Sequence, residues 1–170
     1  MPAQPRFEES ILVLDPGNVV TPDLLHEYGE RHWVAQARDL DEAVTLLQDR
    51  EVAVLVADMD SDPQEVKSLL HLLKEEYPQI LTIAVTQTVD AEMLIELINE
   101  AQVHRFIGKP VAMAQLRQHV DAALNRYHTY KATPALAKAQ QKVEPLKAAA
   151  PSLASGLMAR LRAISRFGSR

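Results

Sequence analysis

The sequence predicts an α/β fold in which five parallel strands alternate with five helices. Short apolar runs recur along the first 130 residues, and an amphipathic stretch follows each of them. The run VAVLVA at 52–57 is apolar throughout, which is typical of a central parallel strand buried on both faces. Strands separated by helices pair in parallel through right-handed crossovers. We therefore expect a doubly wound sheet with helices on both faces.

The strands are predicted from the length of the apolar runs. Each run has four to six residues, which is the usual length of a strand. The predicted strands, in chain order, are ILVL at 11–14, HWVAQA at 32–37, VAVLVA at 52–57, ILTIAV at 80–85 and VHRFI at 103–107.

The helices are predicted from apolar spacing and from residues that begin or end a helix. Thr21 is the expected N-cap of the first helix, with Pro22 at its first helical position. The third helix is expected to end before Pro78. The predicted helices, in chain order, lie at about 21–30, 40–50, around 69–73, at 91–101 and at 112–128.

Composition excludes several classes of protein. Of the 170 residues, 47% are hydrophobic, which is enough to bury a core. The absence of cysteine excludes disulfides, thiol catalysis and thiolate metal sites. No apolar run approaches the roughly 20 residues that cross a bilayer, and the segment MPAQPRFEES has no apolar signal-peptide centre. We therefore expect a cytoplasmic protein.

Charge and composition divide the chain into three regions. Residues 1–130 carry 10 Lys and Arg against 22 Asp and Glu, whereas 131–170 carry 8 against one Glu. We expect a folded domain over 1–130 and an Ala/Pro/Lys-rich linker over 131–151. A basic amphipathic helix is expected over 152–170, because apolar residues recur there at helical spacing between arginines.

Polar side chains follow four of the five predicted strands. In such a sheet, ligands and chemistry gather beyond the carboxyl ends of the strands. The residues at these positions are Asp15, Ala37, Asp58, Thr86 and Lys109. A lysine at the end of a buried strand needs an anion, because an unpaired buried ammonium is costly. We expect Lys109 to pair with Asp58.

A carboxylate, a hydroxyl and an ammonium at adjacent strand ends suit phosphoryl transfer to the carboxylate. Asp58 would be the nucleophile that forms an acyl phosphate. Lys109 would neutralise phosphoryl charge, and the Thr86 hydroxyl would donate to a phosphoryl oxygen. A Mg²⁺ ion held by carboxylates would bridge the acceptor and the incoming phosphoryl group.

The spacing of these residues resembles that of a known family. Asp58 ends the third strand, YPQILTIAVT places Thr86 at the end of the fourth, and RFIGKP carries Phe106 three positions before Lys109. On these motifs, the first 128 residues or so resemble a response-regulator receiver domain of two-component signalling. The resemblance implies a flavodoxin-like (βα)5 fold with strand order 2-1-3-4-5.

The resemblance also implies a role for each matching residue. Asp58 would be the phospho-acceptor, with Lys109 and Thr86 completing the phosphotransfer site. Thr86 and Phe106 would form the switch that reorganises the surface of the fourth helix, fifth strand and fifth helix. The Lys109–Pro110 peptide bond is expected to be cis, as is usual in the family.

The acidic residues near the predicted metal depart from the family pattern. The family has two adjacent acids after the first strand, whereas LDPGN has Asp15 followed by Pro16, and Asp-Pro-Gly-Asn favours a β-turn. The stretch DMDSDPQEV adds Asp60 and Asp62 after the acceptor. These carboxylates would either replace the missing ligand or repel a phosphoryl group. We place the predicted Mg²⁺ at Asp15, Asp58 and Asp60.

Alternative functions stay open on the sequence alone. The leading hypothesis is phosphoryl transfer from a sensor histidine kinase or phosphotransfer protein to Asp58, with homodimerisation through the switched surface. In the alternative, the chain is a pseudo-receiver, a protein-binding or dimerisation module independent of phosphate. In a third hypothesis, Lys109 anchors a small phosphorylated ligand.

The basic tail has a separate set of expected partners. We expect it to connect to an output domain or partner protein rather than to a membrane. Direct nucleic-acid binding is not expected, because the tail lacks aromatic interleaving and a helix-turn-helix pattern.

Overall fold

A computed structural model describes residues 9–87 and 90–141 of the chain. The strands are β1 Ser10–Leu14, β2 Trp33–Ala37, β3 Val52–Asp58, β4 Leu81–Thr86 and β5 Arg105–Gly108. The helices are α1 Thr21–Tyr28, α2 Leu40–Asp49, α3 Pro63–Glu76, α4 Ala91–Asn99, α5 Met113–Ala132 and α6 Pro134–Gln141.

The strands form one parallel sheet in the order β2-β1-β3-β4-β5, which confirms the predicted order. Side chains alternate between the two faces of each strand. In β3, Val54 and Val56 pack in one core with α1, α5 and α6. Leu55 and Ala57 pack in a second core with α2, α3 and α4. Because β3 is buried on both faces, its apolar run has no polar side.

The register of the sheet brings three strand ends together. Asp58 pairs with Val85, and Thr86 pairs with Gly108. The amide of Lys109 donates to the carbonyl oxygen of Thr86 at 3.0 Å. The ends of β3, β4 and β5 therefore place an acid, a hydroxyl and an amine at one edge of the sheet.

The start of β5 differs from the prediction of 103–107. The amide of Val103 donates to the carbonyl of Leu97, so this residue closes the end of α4 instead of beginning the strand. Gln102 adopts a φ of 50°, the left-handed conformation often found after a helix. Val103 is apolar because its side chain is buried in the second core.

The N-cap of α1 lies one residue earlier than predicted. Val20 occupies the cap position, and Thr21 begins the helix. The cap hydrogen bonds come instead from the carboxylate of Asp15, which accepts from the amides of Val20 and Thr21. A residue outside the helix therefore supplies the acceptor that the sequence pattern assigned to Thr21.

Residues 131–141, which the sequence analysis assigns to a linker, are helical. They contain the end of α5 and all of α6, and Ala137 is buried in the core beside α5. Alanine, lysine and glutamine are good helix formers, and tertiary packing decides whether such a segment folds. The packed part of the chain therefore extends beyond residue 130. Residues 142–151, and the basic helix predicted at 152–170, lie outside the described residues.

Within the two described ranges, no helix combines the length and apolar character that a bilayer crossing requires.

Replacing Ala137 by aspartate tests whether α6 belongs to the folded domain. Ala137 is 4% exposed, so Ala137→Asp is expected to lower the free energy of unfolding by about 1–3 kcal/mol. Ala139 is exposed on the same helix, and Ala139→Asp is the matched control, expected to cost less than about 0.5 kcal/mol. Urea denaturation measures both. Equal effects would mean that α6 does not pack on the domain.

Candidate functional site

Lys109 lies at the centre of the strand-end cluster. Its Nζ is 2.9 Å from both carboxylate oxygens of Asp58 and 2.9 Å from Oδ2 of Asp60. Its side chain is 16% exposed. Burial alone would lower the pKa of Lys109, but hydrogen bonds and charge from the two aspartates outweigh burial and raise it. The site therefore holds a charged ammonium between two carboxylates, which confirms the expected Lys109–Asp58 pair.

Asp58 is the last residue of β3, and the loop that follows helps to hold its side chain in place. The strand is buried up to Ala57, and the Asp58 side chain is 12% exposed. Its Oδ1 accepts a hydrogen bond of 2.9 Å from the amide of Asp60. This short turn fixes the carboxylate and folds the loop back over the strand end.

Asp60 reaches into the same cluster. Its Oδ1 accepts from the Thr86 hydroxyl at 2.7 Å, and its Oδ2 accepts from the Gln87 amide at 2.9 Å. Burial alone would raise the pKa of Asp60, but the bonds from Lys109, Thr86 and Gln87 hold it below its usual range. Asp60 is therefore a full member of the site.

The other predicted site residues lie in or next to the ends of β4 and β5. Thr86 is buried, with 3% of its surface exposed. Phe106 is half-buried and packs against the second core, which contains Leu97 of α4. The Lys109–Pro110 peptide bond is cis, which confirms that prediction.

Solved structures with the same arrangement of elements include signalling domains. The signal receiver domain of an HD domain-containing protein from Pseudomonas fluorescens Pf-5 aligns with a TM-score of 0.65 and 25% identity, over 71% of this chain and 98% of that one. A response regulator from Thermotoga maritima aligns with a TM-score of 0.61 and 19% identity, over 69% and 98%. This chain has the receiver fold. No protein-family model and no curated protein sequence matches it.

A third similar structure carries the name of an enzyme. The structure named adenylate cyclase from Rhodopirellula baltica aligns with a TM-score of 0.64 and 23% identity, over 76% of this chain and 97% of that one. A fold hosts many functions, so the activity has to be argued from the site.

Asp15 anchors the start of α1. Its Oδ2 accepts from the amides of Val20 and Thr21 at 2.8 and 3.0 Å, and from the Thr21 hydroxyl at 3.0 Å. Burial alone would raise the pKa of Asp15, but hydrogen bonds from the backbone of Thr21, Val20 and Val19 outweigh burial and lower it. The carboxylate thus stabilises the N-terminus of α1, where a negative charge is favourable.

The predicted magnesium ligands do not fit an ion in this arrangement. Oxygen donors suit Mg²⁺, and Oδ1 of Asp15 is buried and accepts no hydrogen bond from the described residues. However, Oδ2 of Asp15 is bonded to α1, and Asp60 is bonded to Lys109 and Thr86. The ligand atoms of Asp15, Asp58 and Asp60 are not among those that converge within 4.8 Å in the described ranges. Magnesium binding stays a prediction that requires these side chains to rearrange.

The ligand-like group that does converge lies between α3 and the C-terminal end of α4. His71 of α3, Glu96 of α4 and Glu100, the C-cap of α4, have ligand atoms within 4.8 Å of one another. Lys67 forms an ion pair with Glu96, and Nε2 of His71 is 3.7 Å from Glu100. Burial lowers the pKa of His71, so near pH 7 it faces Glu100 as a neutral imidazole, and Lys67–Glu96 is the ion pair of this group.

A groove of about 710 Å³ opens beside Lys109. It lies between the start of α1 and the loop after β5, and most of its side chains are apolar. The lining residues are Val19, Val20, Asp23, Gln87, Lys109, Pro110, Val111 and Met113. Through this groove, the lysine side of the strand-end cluster is open to the surface.

Sequence reasoning missed two features of the receiver site. It did not single out Gln87, whose backbone amide is a donor in the cluster. Its position directly after the strand-end Thr86 was the available signal. It named Asp60 only as a metal ligand or source of repulsion, because no local pattern connects this residue with Lys109.

The structural role of Asp15 predicts a loss of stability on substitution. Asp15→Ala removes the acceptor of three hydrogen bonds and is expected to cost about 2–4 kcal/mol at neutral pH. Because the pKa of Asp15 is lowered by folding, this stabilisation is complete above the ordinary value of 3.8 and is lost as the pH falls through the folded-state value.

Urea denaturation at several pH values measures this effect. The exposed Asp23 of α1 provides a control, and Asp23→Ala is expected to change stability by less than about 0.5 kcal/mol. The cost of Asp15→Ala is expected to be the same in Mg²⁺ and in EDTA. A cost that appears only with Mg²⁺ would show that Asp15 acts as a metal ligand instead.

Proposed function

We propose that this chain is a response-regulator receiver that accepts a phosphoryl group on Asp58 from a sensor histidine kinase or phosphotransfer protein. The observation that carries the proposal is the meeting of Asp58, Lys109 and Thr86 at the ends of β3, β4 and β5. The ammonium lies 2.9 Å from the acceptor carboxylate, and the hydroxyl is part of the same hydrogen-bonded cluster. We place this activity in the cytoplasm.

The proposed transfer joins an oxygen of Asp58 to the phosphorus of a phosphohistidine. The new O–P bond forms as the N–P bond of the donor breaks, and the electron pair stays on the departing imidazole. Lys109 offsets the negative charge that arrives at the site. In this proposal the chain catalyses only its own phosphorylation and dephosphorylation.

The exposed surface of α4 supports a switched interface. Ile95 is 59% exposed and Ile98 is 50% exposed, although both are large apolar side chains on one helix. Phe106 on β5 packs against the core beneath this helix. In our proposal, the phosphoryl group shifts an existing equilibrium between two arrangements of the Thr86 and Phe106 side chains. The shift changes this surface, which then forms a homodimer or binds an output partner.

A second candidate is a receiver that works without phosphate. It is favoured by the position of Asp60, whose carboxylate already accepts the bonds of Lys109, Thr86 and Gln87. Pro16 also stands where the family has a second acid. In this candidate the chain is a constitutive protein-binding or dimerisation module.

Treatment with acetyl phosphate separates the two candidates. The natural chain is expected to gain the mass of one phosphoryl group, read by intact mass spectrometry, whereas Asp58→Asn is expected to gain none. Parallel reactions with Mg²⁺ and with EDTA test the predicted ion.

A receiver of known activity provides the positive control. If that control is labelled and the natural chain is not, the phosphate-independent candidate is supported. If an adduct persists in Asp58→Asn, another residue is the acceptor.

We further propose that the basic segment 152–170 connects the receiver to an output domain or partner protein. Its charge is opposite to that of residues 1–130, where acids exceed bases by 12. Membrane contact is the alternative for a basic amphipathic segment.

Co-sedimentation with anionic liposomes tests the membrane alternative. We expect the full chain and a chain ending at residue 141 to partition equally, because the segment is proposed to contact protein. The shorter chain keeps α6, so its fold is preserved as a control. Stronger sedimentation of the full chain at physiological salt would contradict a protein contact.

A further inference from the structure

Three different donors converge on the carboxylate of Asp60. They are the ammonium of Lys109 at 2.9 Å, the hydroxyl of Thr86 at 2.7 Å and the backbone amide of Gln87 at 2.9 Å. An ammonium, a hydroxyl and an amide are the groups that hold the oxygens of a phosphoryl group or other oxyanion. Asp60 therefore occupies donors that an oxyanion beside Asp58 would need.

The loop after β3 holds Asp60 in this position. The amide of Asp60 donates to Asp58, so the backbone of the residue is fixed beside the acceptor. The next acid along the chain, Asp62, instead caps α3 by accepting from the amide of Glu65. Two acids of the same loop thus have different roles, and only Asp60 faces the donors.

Charge makes simultaneous occupation unfavourable. Asp58 and Asp60 already place two carboxylates around one ammonium. An added phosphoryl group would bring further negative charge within hydrogen-bonding distance of both, which like-charge repulsion opposes. The ligand atoms of Asp15, Asp58 and Asp60 do not converge in the described ranges, so the ammonium of Lys109 is the positive charge that offsets part of the charge of Asp58 and Asp60.

We propose that Asp60 is an internal ligand of the oxyanion-binding donors, which any phosphoryl group or oxyanion must displace. Its significance for signalling rests on the proposed function, because Asp60 would then set how readily Asp58 is phosphorylated. The occupation of the donors is a property of the site itself and is testable without phosphorylation.

Sulfate binding tests directly whether Asp60 occupies the oxyanion-binding donors. The measurements use full-length chains that carry Asp58→Asn, so no acyl phosphate forms and Lys109 keeps only Asp60 as its anion. Adding Asp60→Ala is expected to tighten sulfate binding at least about tenfold, because charged and neutral donors become available together. Calorimetry gives the affinity, and the amide signal of Gln87 in NMR reports the location.

Asp62→Asn in the same Asp58→Asn chain is the matched control. It removes the same charge from the same loop, and asparagine retains the cap of α3. This control is expected to bind sulfate as weakly as Asp58→Asn alone. Equal affinities of the Asp60 and Asp62 variants would overturn the proposal. Thr86→Val added to the Asp60 variant is expected to weaken binding again.

The rate of acetyl phosphate labelling then tests the consequence for signalling. With Asp58 intact, Asp60→Ala is expected to be labelled at least about fivefold faster than Asp62→Asn. Labelling of both at the same rate would overturn the role as competitor. If neither variant nor the natural chain is labelled, the proposed function fails, whereas the sulfate result still decides whether Asp60 occupies the donors.

A measurement on the natural sequence covers the case in which a multiple variant does not fold. The amide proton of Gln87, followed by NMR in the natural chain, is expected to exchange slowly with solvent because the carboxylate of Asp60 accepts its hydrogen bond. Asp60→Ala alone is expected to speed this exchange, whereas Asp62→Asn alone is expected to leave it unchanged. Equal exchange rates in the two single variants would contradict the contacts on which the proposal depends.

Discussion

The ammonium of Lys109 is the charge around which the functional edge of the sheet is organised. It is half-buried, and an ammonium in that position is tolerated only when anions surround it. Asp58 and Asp60 supply them, each at 2.9 Å. Through Asp60 the same interaction reaches Thr86 on the neighbouring strand. The ends of β3, β4 and β5 are thereby joined by hydrogen bonds from side chains as well as by the ladder of the sheet.

The two departures from the family pattern, at Pro16 and Asp60, have related physical consequences. Pro16 has no side-chain oxygen to offer a metal ion, and one carboxylate oxygen of Asp15 accepts hydrogen bonds from the start of α1. Asp60 adds a second carboxylate to the ammonium that already pairs with Asp58. One positive charge offsets only part of the two negative ones, so the site keeps a net negative charge. A phosphoryl group would enter a place that already holds an anion, which connects the acidic loop with the regulation of Asp58.

Local sequence patterns predicted the strands and helices well where all residues of an element are buried alike. They predicted them poorly where a contact with a distant part of the chain decides the structure. The continuous apolar run of β3 follows from burial on both faces, and the order of the strands is the one that the family resemblance implied. The start of β5 was misplaced because Val103 is buried like a strand residue but bonded to the end of α4. Residues 131–141 were assigned to a linker because their composition suits both a solvated segment and a helix. Packing of Ala137 on the core decides between them.

The sequence by itself determined the fold class and the pairing of Lys109 with Asp58, because apolar spacing and the polar residues after the strands encode them, and the family resemblance implied the cis bond at Pro110. The tertiary structure alone decided between the two acids of the loop after β3. Asp60 and Asp62 are chemically identical and two positions apart, yet one joins the site and the other caps α3. The difference depends on partners that only folding brings near, since Thr86 lies 26 residues further along the chain.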